Sequence, residues 1–292
     1  MKVLLTGATG FIGQEVIRSF GERAEIFAIV RGDTSEVQQS LGAGVRLIKA
    51  DLGKELLLSS FPKSIDRVVH CAQSLHYQDF PAQALDVMRI NVMATGQLLQ
   101  YAVKAGASAF CHISSGSVYE PYNGDLNEES ILTPTSINGS TKAAAEMLVR
   151  SYASLMKTCS LRIFMPYGPG QVNRLLPNLI HRVQCEESIT LANGRGPNVS
   201  PIHVIDVANI IAMSSIDEWE GFFNVAGIES FDLKQVADLI GICLNKTPKF
   251  ITVDEVPINL SPSLQNLKSK LDTRKFITFA GGIRDMVATQ SS

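Results

Sequence analysis

Val3-Leu4-Leu5-Thr6-Gly7-Ala8-Thr9-Gly10-Phe11-Ile12-Gly13 reads as a strand, a glycine turn and the opening of a helix. Beyond it, Ile12, Val16, Ile17 and Phe20 recur at helical spacing, and Gly21 stands where a helix would stop. Gly7 permits a tight turn, Gly10 lets backbone approach a ligand without an intervening Cβ, and Gly13 allows a helix to lie close to the strand. The free N–H groups and positive end of such a helix hold negative charge, a diphosphate above all. A G-x-x-G-x-x-G pattern alone is common in loops, but here it follows the first strand and opens an amphipathic helix. Gly7, Thr9, Gly10, Phe11, Ile12 and Gly13 are therefore expected to bind a dinucleotide.

Outward from this turn, short Val- and Ile-rich runs alternate with stretches of helical period, the pattern of a parallel sheet covered on both faces. Strands are predicted at Lys2–Leu5, Ile26–Val30, Val45–Ala50, Arg67–Cys71, Ala109–Ile113, Leu161–Met165 and Phe222–Val225, with helices over Leu85–Ala105, Asn138–Leu155 and Val204–Met213. The fold class that follows is α/β, a doubly wound parallel sheet of the Rossmann type with a smaller C-terminal substrate-binding lobe. After Met165 the texture changes, with Pro166, Gly168, Pro169, Gly170 and Pro177, then Gly194, Gly196, Pro197 and Pro201. Residues 1–165 plus about 203–228 are assigned to the dinucleotide domain, and about 166–202 plus 229–292 to the substrate-binding lobe.

The chain of 292 residues is 45% hydrophobic, enough for a large core. Lys and Arg number 26 against 28 Asp and Glu, a formal charge of −2, so no global field favours nucleic acid or an acidic membrane. Five scattered cysteines, Cys71, Cys111, Cys159, Cys185 and Cys243, form no C-x-x-C pair. Neither a disulfide framework nor a metal site is expected, and a reducing, cytoplasmic setting fits. Thr6-Gly7 comes too soon for a signal-peptide apolar region, and no run reaches membrane-spanning length.

Choice between nicotinamide cofactors rests on the residue ending the second strand, where an acid binds the ribose hydroxyl and an Arg accommodates a phosphate. Arg31, 18 residues after Gly13, takes that place and favours NADP. NAD is the alternative, with Asp33 on the ribose.

In order along the chain stand Thr6-Gly7-Ala8-Thr9-Gly10-Phe11-Ile12-Gly13, Ala50-Asp51-Leu52, Val68-Val69-His70-Cys71-Ala72, Asn91-Val92-Met93-Ala94-Thr95, Ser114-Ser115-Gly116-Ser117-Val118-Tyr119, Leu161-Arg162 with Tyr167-Gly168-Pro169, and Ile202 to Ala208. This series resembles the extended short-chain dehydrogenase/reductase family, the NAD-dependent epimerases and dehydratases that modify nucleotide sugars. The resemblance implies that Asp51 and Leu52 flank the adenine, that Ala72 passes under the cofactor, that Asn91 orders the active-site side, and that Met165 joins the cofactor site. It implies Ser115 as the catalytic Ser or Thr, and Lys142 as the lysine that binds the nicotinamide ribose and tunes a tyrosine. A homodimer acting on a small molecule, a nucleotide sugar, is implied too.

Two departures narrow the reading. Four residues before Lys142 the family tyrosine is replaced by Asn138, whose amide can orient a substrate oxygen but cannot exchange a proton in the useful range. Gly116 and Ser117 follow Ser115 where the dehydratases carry acids, so the pattern sides with epimerases and ketoreductases. Replacement proton donors are sought among Tyr119, Tyr167, His112 and His76, with His76 preferred because its loop follows a strand's carboxyl end. For substrate, Asn138, His76 and, from the second lobe, Arg195 between Gly194 and Gly196 are the candidates, ahead of Arg174, Arg182 and His203. Three functions stay open: an enzyme acting on a nucleotide sugar with an altered proton donor, a catalytically impaired cofactor-binding member serving as regulator or subunit, and reduction of a non-sugar carbonyl.

Overall fold

The computed structural model describes residues 1–32 and 34–290; Asp33, the alternative ribose ligand, lies outside them. The chain separates into two compact units. The first comprises Met1–Pro121, Ile131–Ile163 and Val207–Phe223; the second comprises Tyr122–Ser130, Phe164–Asp206 and the residues from Asn224 on.

The first unit is built on β1 (Lys2–Thr6), β2 (Glu25–Val30), β3 (Val45–Lys49), β4 (Arg67–His70), β5 (Ala109–Ser115), β6 (Lys157–Ile163) and the part of β7 (Gly221–Val225) up to Phe223. Their order is β7-β6-β5-β4-β1-β2-β3 in a 7-stranded sheet. The β1–β2, β2–β3, β1–β4, β4–β5 and β5–β6 pairs are parallel. Val3 to Thr6, Val68 to His70 and Ala109 to Ser114 are all buried, which is why these strands read as continuous apolar runs instead of alternating ones. Strand order reverses between β1 and β4, and in open α/β sheets the ligand crevice lies outside the carboxyl ends at that point.

Helices α1 (Phe11–Phe20), α2 (Thr34–Leu41), α3 (Ala84–Met88), α4 (Ala94–Lys104) and α5 (Ile137–Ser151) connect these strands. Leu4, Val68 and Phe110 from the sheet pack with Leu98, Leu99 and Tyr101 of α4 in one core, where Tyr101 meets Phe61 edge to face at 5.2 Å. The helix expected over Leu85–Ala105 carries a π turn at Arg89–Met93 between α3 and α4. The sixth strand begins at Lys157 instead of Leu161 and ends at Ile163. Thr158 and Ser160 are buried in it, and counting apolar residues alone passes over such positions.

The second unit has its own core, in which Tyr167, Leu176, Ile180, Leu191, Val236, Ile240 and Phe279 are buried together. Its main helices are α6 (Leu175–Gln184), α7 (Leu233–Leu244) and α8 (Phe279–Gln290). Asp232 and Gln235 cap α7 reciprocally, Asp232 Oδ1 accepting from Gln235 N at 2.8 Å and Gln235 Oε1 accepting from Asp232 N at 2.9 Å. A Cβ at residue 282 would collide with the Tyr167 hydroxyl, so Gly282 lets α8 settle onto that ring. Among the described residues no helix is long and apolar enough to cross a membrane.

Candidate active site

At the first glycine turn Gly7 has φ 72°, and a Cβ there would come within 2.8 Å of Ala72 N, while one at residue 13 would collide with the Gly7 carbonyl oxygen. Both glycines are thus required for β1, the loop after β4 and α1 to meet. Gly10 caps α1 without a side-chain bond, and the helix carries no acid in its first turn. A helix N-terminus left uncapped and uncountered by a carboxylate fits a diphosphate, and Thr9 and Gly10 are exposed beside it.

Beneath the carboxyl ends of β1 and β4 runs a buried chain of hydrogen bonds whose directions are fixed. Thr95 Oγ1 spends its hydrogen on Asn91 O at 2.7 Å, so it accepts from His70 Nε2 at 3.0 Å. Neutral His70 is then an acceptor at Nδ1, and Thr6 Oγ1, which accepts from Ala72 N at 3.1 Å, donates to it at 2.7 Å. Burial first, and the charge of Lys142 second, push the His70 pKa down from 6.5 to about 3. Between those values the unfolded chain binds the proton and the folded chain does not, so stability falls as pH drops through this window, by at most about 1.4 kcal/mol per pH unit per histidine. Denaturant midpoints measured across the window should decline toward acid. His70→Gln should flatten the slope; His112, also buried and held well below its ordinary range by burial, sustains the remainder.

Asn91, in the π turn, accepts from Ser74 N through Oδ1 and donates from Nδ2 to Thr141 Oγ1, both at 3.0 Å. It ties the loop after β4 to α5, one residue before Lys142. Ser136 caps α5, accepting from Gly139 N at 3.0 Å. A Cβ at residue 139 would collide with Ser117 O, so Gly139 lets the first turn of α5 rest on the backbone beyond β5. Asn138 and Ser117 are brought within reach by that approach.

Their contact forms a directed relay. Asn138 Nδ2 donates to Ser117 Oγ at 2.9 Å, and Ser117 Oγ donates to Ser115 Oγ at 3.0 Å. Ser115 Oγ also accepts from Ser117 N at 3.2 Å, so its two lone pairs are taken and its hydroxyl hydrogen points onward. Asn138 Oδ1 is buried without a partner among the described residues. One turn along α5, Lys142 is 2% exposed and donates from Nζ to Ile113 O at 2.6 Å. Burial pushes the pKa of this amine down from 10.5 to about 8, against the raising influence of Cys71 and Glu146.

One further turn along, Glu146 anchors the helix. Its carboxylate receives Arg162 Nη2 at 2.8 Å, Arg162 Nε at 3.0 Å and Ser114 Oγ at 2.5 Å. Arg162 donates from Nη1 to the Tyr119 hydroxyl at 2.6 Å and lies over the Tyr119 and Phe222 rings. Residues 138, 142 and 146 share one face, and the buried ion pair sets the rotation of that face toward β5 and β6.

Of the other expected site residues in this unit, Arg31 is exposed just after β2. Asp51 Oδ1 accepts from Gly53 N at 3.0 Å, and the Leu52 side chain is buried in the core beside Leu4 and Phe27. His76 lies exposed in a short turn with Nδ1 against the Asp79 carboxylate at 2.9 Å. Met165 and Arg195 belong to the second unit, Met165 with φ 41° and Arg195 exposed in a turn between Gly194 and Gly196. Tyr167 is buried in that unit, its pKa raised by burial first and by Asp206 next. Thr6, His70, Thr95 and Ser117 stand within the quoted motifs, but their hydrogen-bonding roles escaped the sequence reading, as did Thr141 and Glu146 altogether; the spacing of Lys142 and Glu146 along one helix was the available signal for Glu146.

Parallel strands ordered around a switch point, with a glycine turn and an uncapped helix there, define a dinucleotide-binding α/β protein. Residues 3–225 match the model of the NAD dependent epimerase/dehydratase family, and the chain belongs to that family. It is similar to the low-salt glycan biosynthesis protein Agl12 of Haloferax volcanii, 29% identical over 210 residues that cover 68% of this chain and 67% of that protein. It is also similar to a dTDP-4-dehydro-6-deoxy-D-allose reductase of a Streptomyces species, 26% identical over 278 residues, 86% of this chain and 83% of the other. For two dTDP-glucose dehydratases among the first curated relatives, the match spans 53% and 66% of their length. In fold the chain is similar to the UDP-glucuronic acid 4-epimerase of Bacillus cereus solved with UDP-glucuronic acid and NAD, with a TM-score of 0.86, 20% identity and coverage of 100% and 99% of the two chains.

Proposed function

We propose that this chain is an NAD(P)-dependent oxidoreductase that reduces a carbonyl, or inverts a carbinol centre, on a nucleotide sugar. The observation that carries this reading is the relay from Asn138 through Ser117 to Ser115, which ends in a hydroxyl hydrogen with no acceptor inside the relay. A binding protein has no need of a polarised donor there. Gly7, Thr9, Gly10, Phe11, Ile12 and Gly13 would hold the diphosphate, Asp51 and Leu52 would flank the adenine, Ala72 would pass under the cofactor, Asn91 would order the active-site side, Lys142 would bind the nicotinamide ribose, and Met165 would join the cofactor-binding residues. Bound there, the dinucleotide supplies hydride-transfer chemistry. Ser115 then donates its hydrogen bond to the substrate carbonyl oxygen, Asn138 Oδ1 accepts from a neighbouring substrate hydroxyl, and the Lys142 ammonium delivers the proton as that oxygen becomes an alcohol. Lys142 suits the task because its pKa of about 8 lies near working pH.

Gly116 and Ser117 supply no carboxyl group for elimination of water, which supports reduction or epimerisation over dehydration. The similarity to a deoxyallose reductase over 86% of this chain supports the same choice. Arg31, exposed after β2, supports NADP over NAD. Arg195 is taken to meet the substrate diphosphate and His76 the sugar. The chain is taken to act as a cytoplasmic homodimer, for which exposed Leu85, Met88 and Met147 on α3 and α5 offer apolar area.

The test is turnover of NADPH and NADH with a panel of nucleotide keto-sugars, and epimer formation with the corresponding alcohols. Ser117→Ala removes both relay bonds of Ser117 Oγ, and loss of the one that reaches Ser115, worth about 1–1.5 kcal/mol, should lower kcat by about tenfold with little change in KM. The replacement of the family phenol by Asn138 favours a second reading, a silent family member acting as regulator or subunit. Tight dinucleotide binding with no turnover on any substrate, and turnover appearing in Asn138→Tyr, would establish that one instead.

A further inference from the structure

His181 and Cys185 stand four residues apart at the C-terminal end of α6, and Glu187 follows after the chain reverses. The reversal occurs at Glu186, whose φ is 56°, and Glu187 N donates back to Arg182 O at 2.8 Å. His181 Nε2 and Cys185 Sγ are 3.6 Å apart, and a carboxylate oxygen of Glu187 completes a set whose ligand atoms all lie within 4.8 Å of one another. The three side chains are exposed, and Cys185 is the exposed thiol among the five. From these contacts we propose that His181, Cys185 and Glu187 form a binding site for a borderline-soft divalent cation of the zinc class, with water in the fourth position.

The geometry matches that metal. Bonds of about 2.3 Å to sulfur and about 2.0–2.1 Å to nitrogen at a tetrahedral angle set those two ligand atoms about 3.6 Å apart, the separation found here. A nitrogen, a sulfur and one carboxylate oxygen select zinc over magnesium or calcium, which take oxygen donors. The adjacent Glu186 is engaged by Lys249 at 3.1 Å and Lys246 at 3.8 Å, which leaves Glu187 as the carboxylate for the metal. On binding, the Cys185 thiol loses its proton to solvent, the thiolate bonds to the metal, and His181 coordinates as neutral imidazole. The metal would staple the end of α6 to the chain entering Ser188–Ala192. Searching for paired cysteines misses this site, because its first two ligands are a histidine and a cysteine one helical turn apart.

The experiment uses the full chain, reduced and stripped with a chelator, titrated with zinc against a competing chromophoric chelator and separately with cobalt. One equivalent of zinc should bind. His181→Ala and Cys185→Ser should each weaken it by at least about 10–100-fold, since even loss of an outer-shell partner costs that much. The cobalt form should show a thiolate charge-transfer band that vanishes in Cys185→Ser. All three positions are on the surface, so the variants should keep the wild-type circular dichroism spectrum. Absence of zinc binding, affinity unchanged in both variants, or loss in only one of them would overturn the assignment.

Discussion

Arg162→Met will lower the free energy of unfolding by about 3–5 kcal/mol, the cost of leaving one member of a buried ion pair without its partner. The guanidinium is 2% exposed, and without it the Glu146 carboxylate, also 2% exposed, keeps the Ser114 hydroxyl as its remaining partner among the bonds described above. Denaturant unfolding of the variant should show a midpoint shift at unchanged slope. The double variant Arg162→Met with Glu146→Leu should recover much of the loss, because a matched apolar pair removes both desolvation penalties. It should nevertheless lose activity, since rotation of α5 sets where Asn138 and Lys142 point. Recovery of stability with activity intact would show that the ion pair has no positioning role.

Lys142→Met will reduce kcat by about 10²–10⁴-fold while the fold survives. The replacement is close in volume, and it removes an amine that burial disfavours in its charged form, so stability near neutral pH should hold or rise. The sign of the wild-type linkage is opposite to that of a salt-bridged lysine. Between about 8 and 10.5 the unfolded chain holds the proton and the folded chain does not, so the stability contribution of Lys142 increases with pH in that window. The rate of carbonyl reduction should instead fall as pH rises through about 8 if, as proposed above, the ammonium is the donor. A rate independent of pH there, or a Lys142→Met enzyme of wild-type speed, would remove Lys142 from the chemistry.

The fold was legible because a parallel sheet buried on both faces leaves unmixed apolar runs, as in Val3 to Leu5 and Val68 to Val69. It was less legible where polar residues are buried, as at Thr158 and Ser160, which hid the start of β6. The π turn at Arg89–Met93 leaves helical periodicity almost undisturbed, and it is there that Asn91 turns inward to Thr141. Within the candidate site, Ser115 and Lys142 could be singled out by the resemblance of their surrounding motifs to those of the family. Ser117 could not, because its reach to both neighbours depends on Gly139 resting on its carbonyl, a tertiary contact between segments distant in sequence. His76, the preferred substitute donor from loop position alone, lies exposed against Asp79, whereas Lys142 is buried one turn along the helix from Asn138.

The central claim is that the turn from Gly7 to Gly13 holds a dinucleotide diphosphate against the positive end of α1, and isothermal titration calorimetry with NADP and NAD tests it most directly. The chain should bind a dinucleotide, NADP more tightly than NAD, and Gly13→Ala should abolish the heat, because its Cβ cannot share space with the Gly7 carbonyl oxygen. No heat with either dinucleotide, or equal affinity in Gly13→Ala, would contradict it.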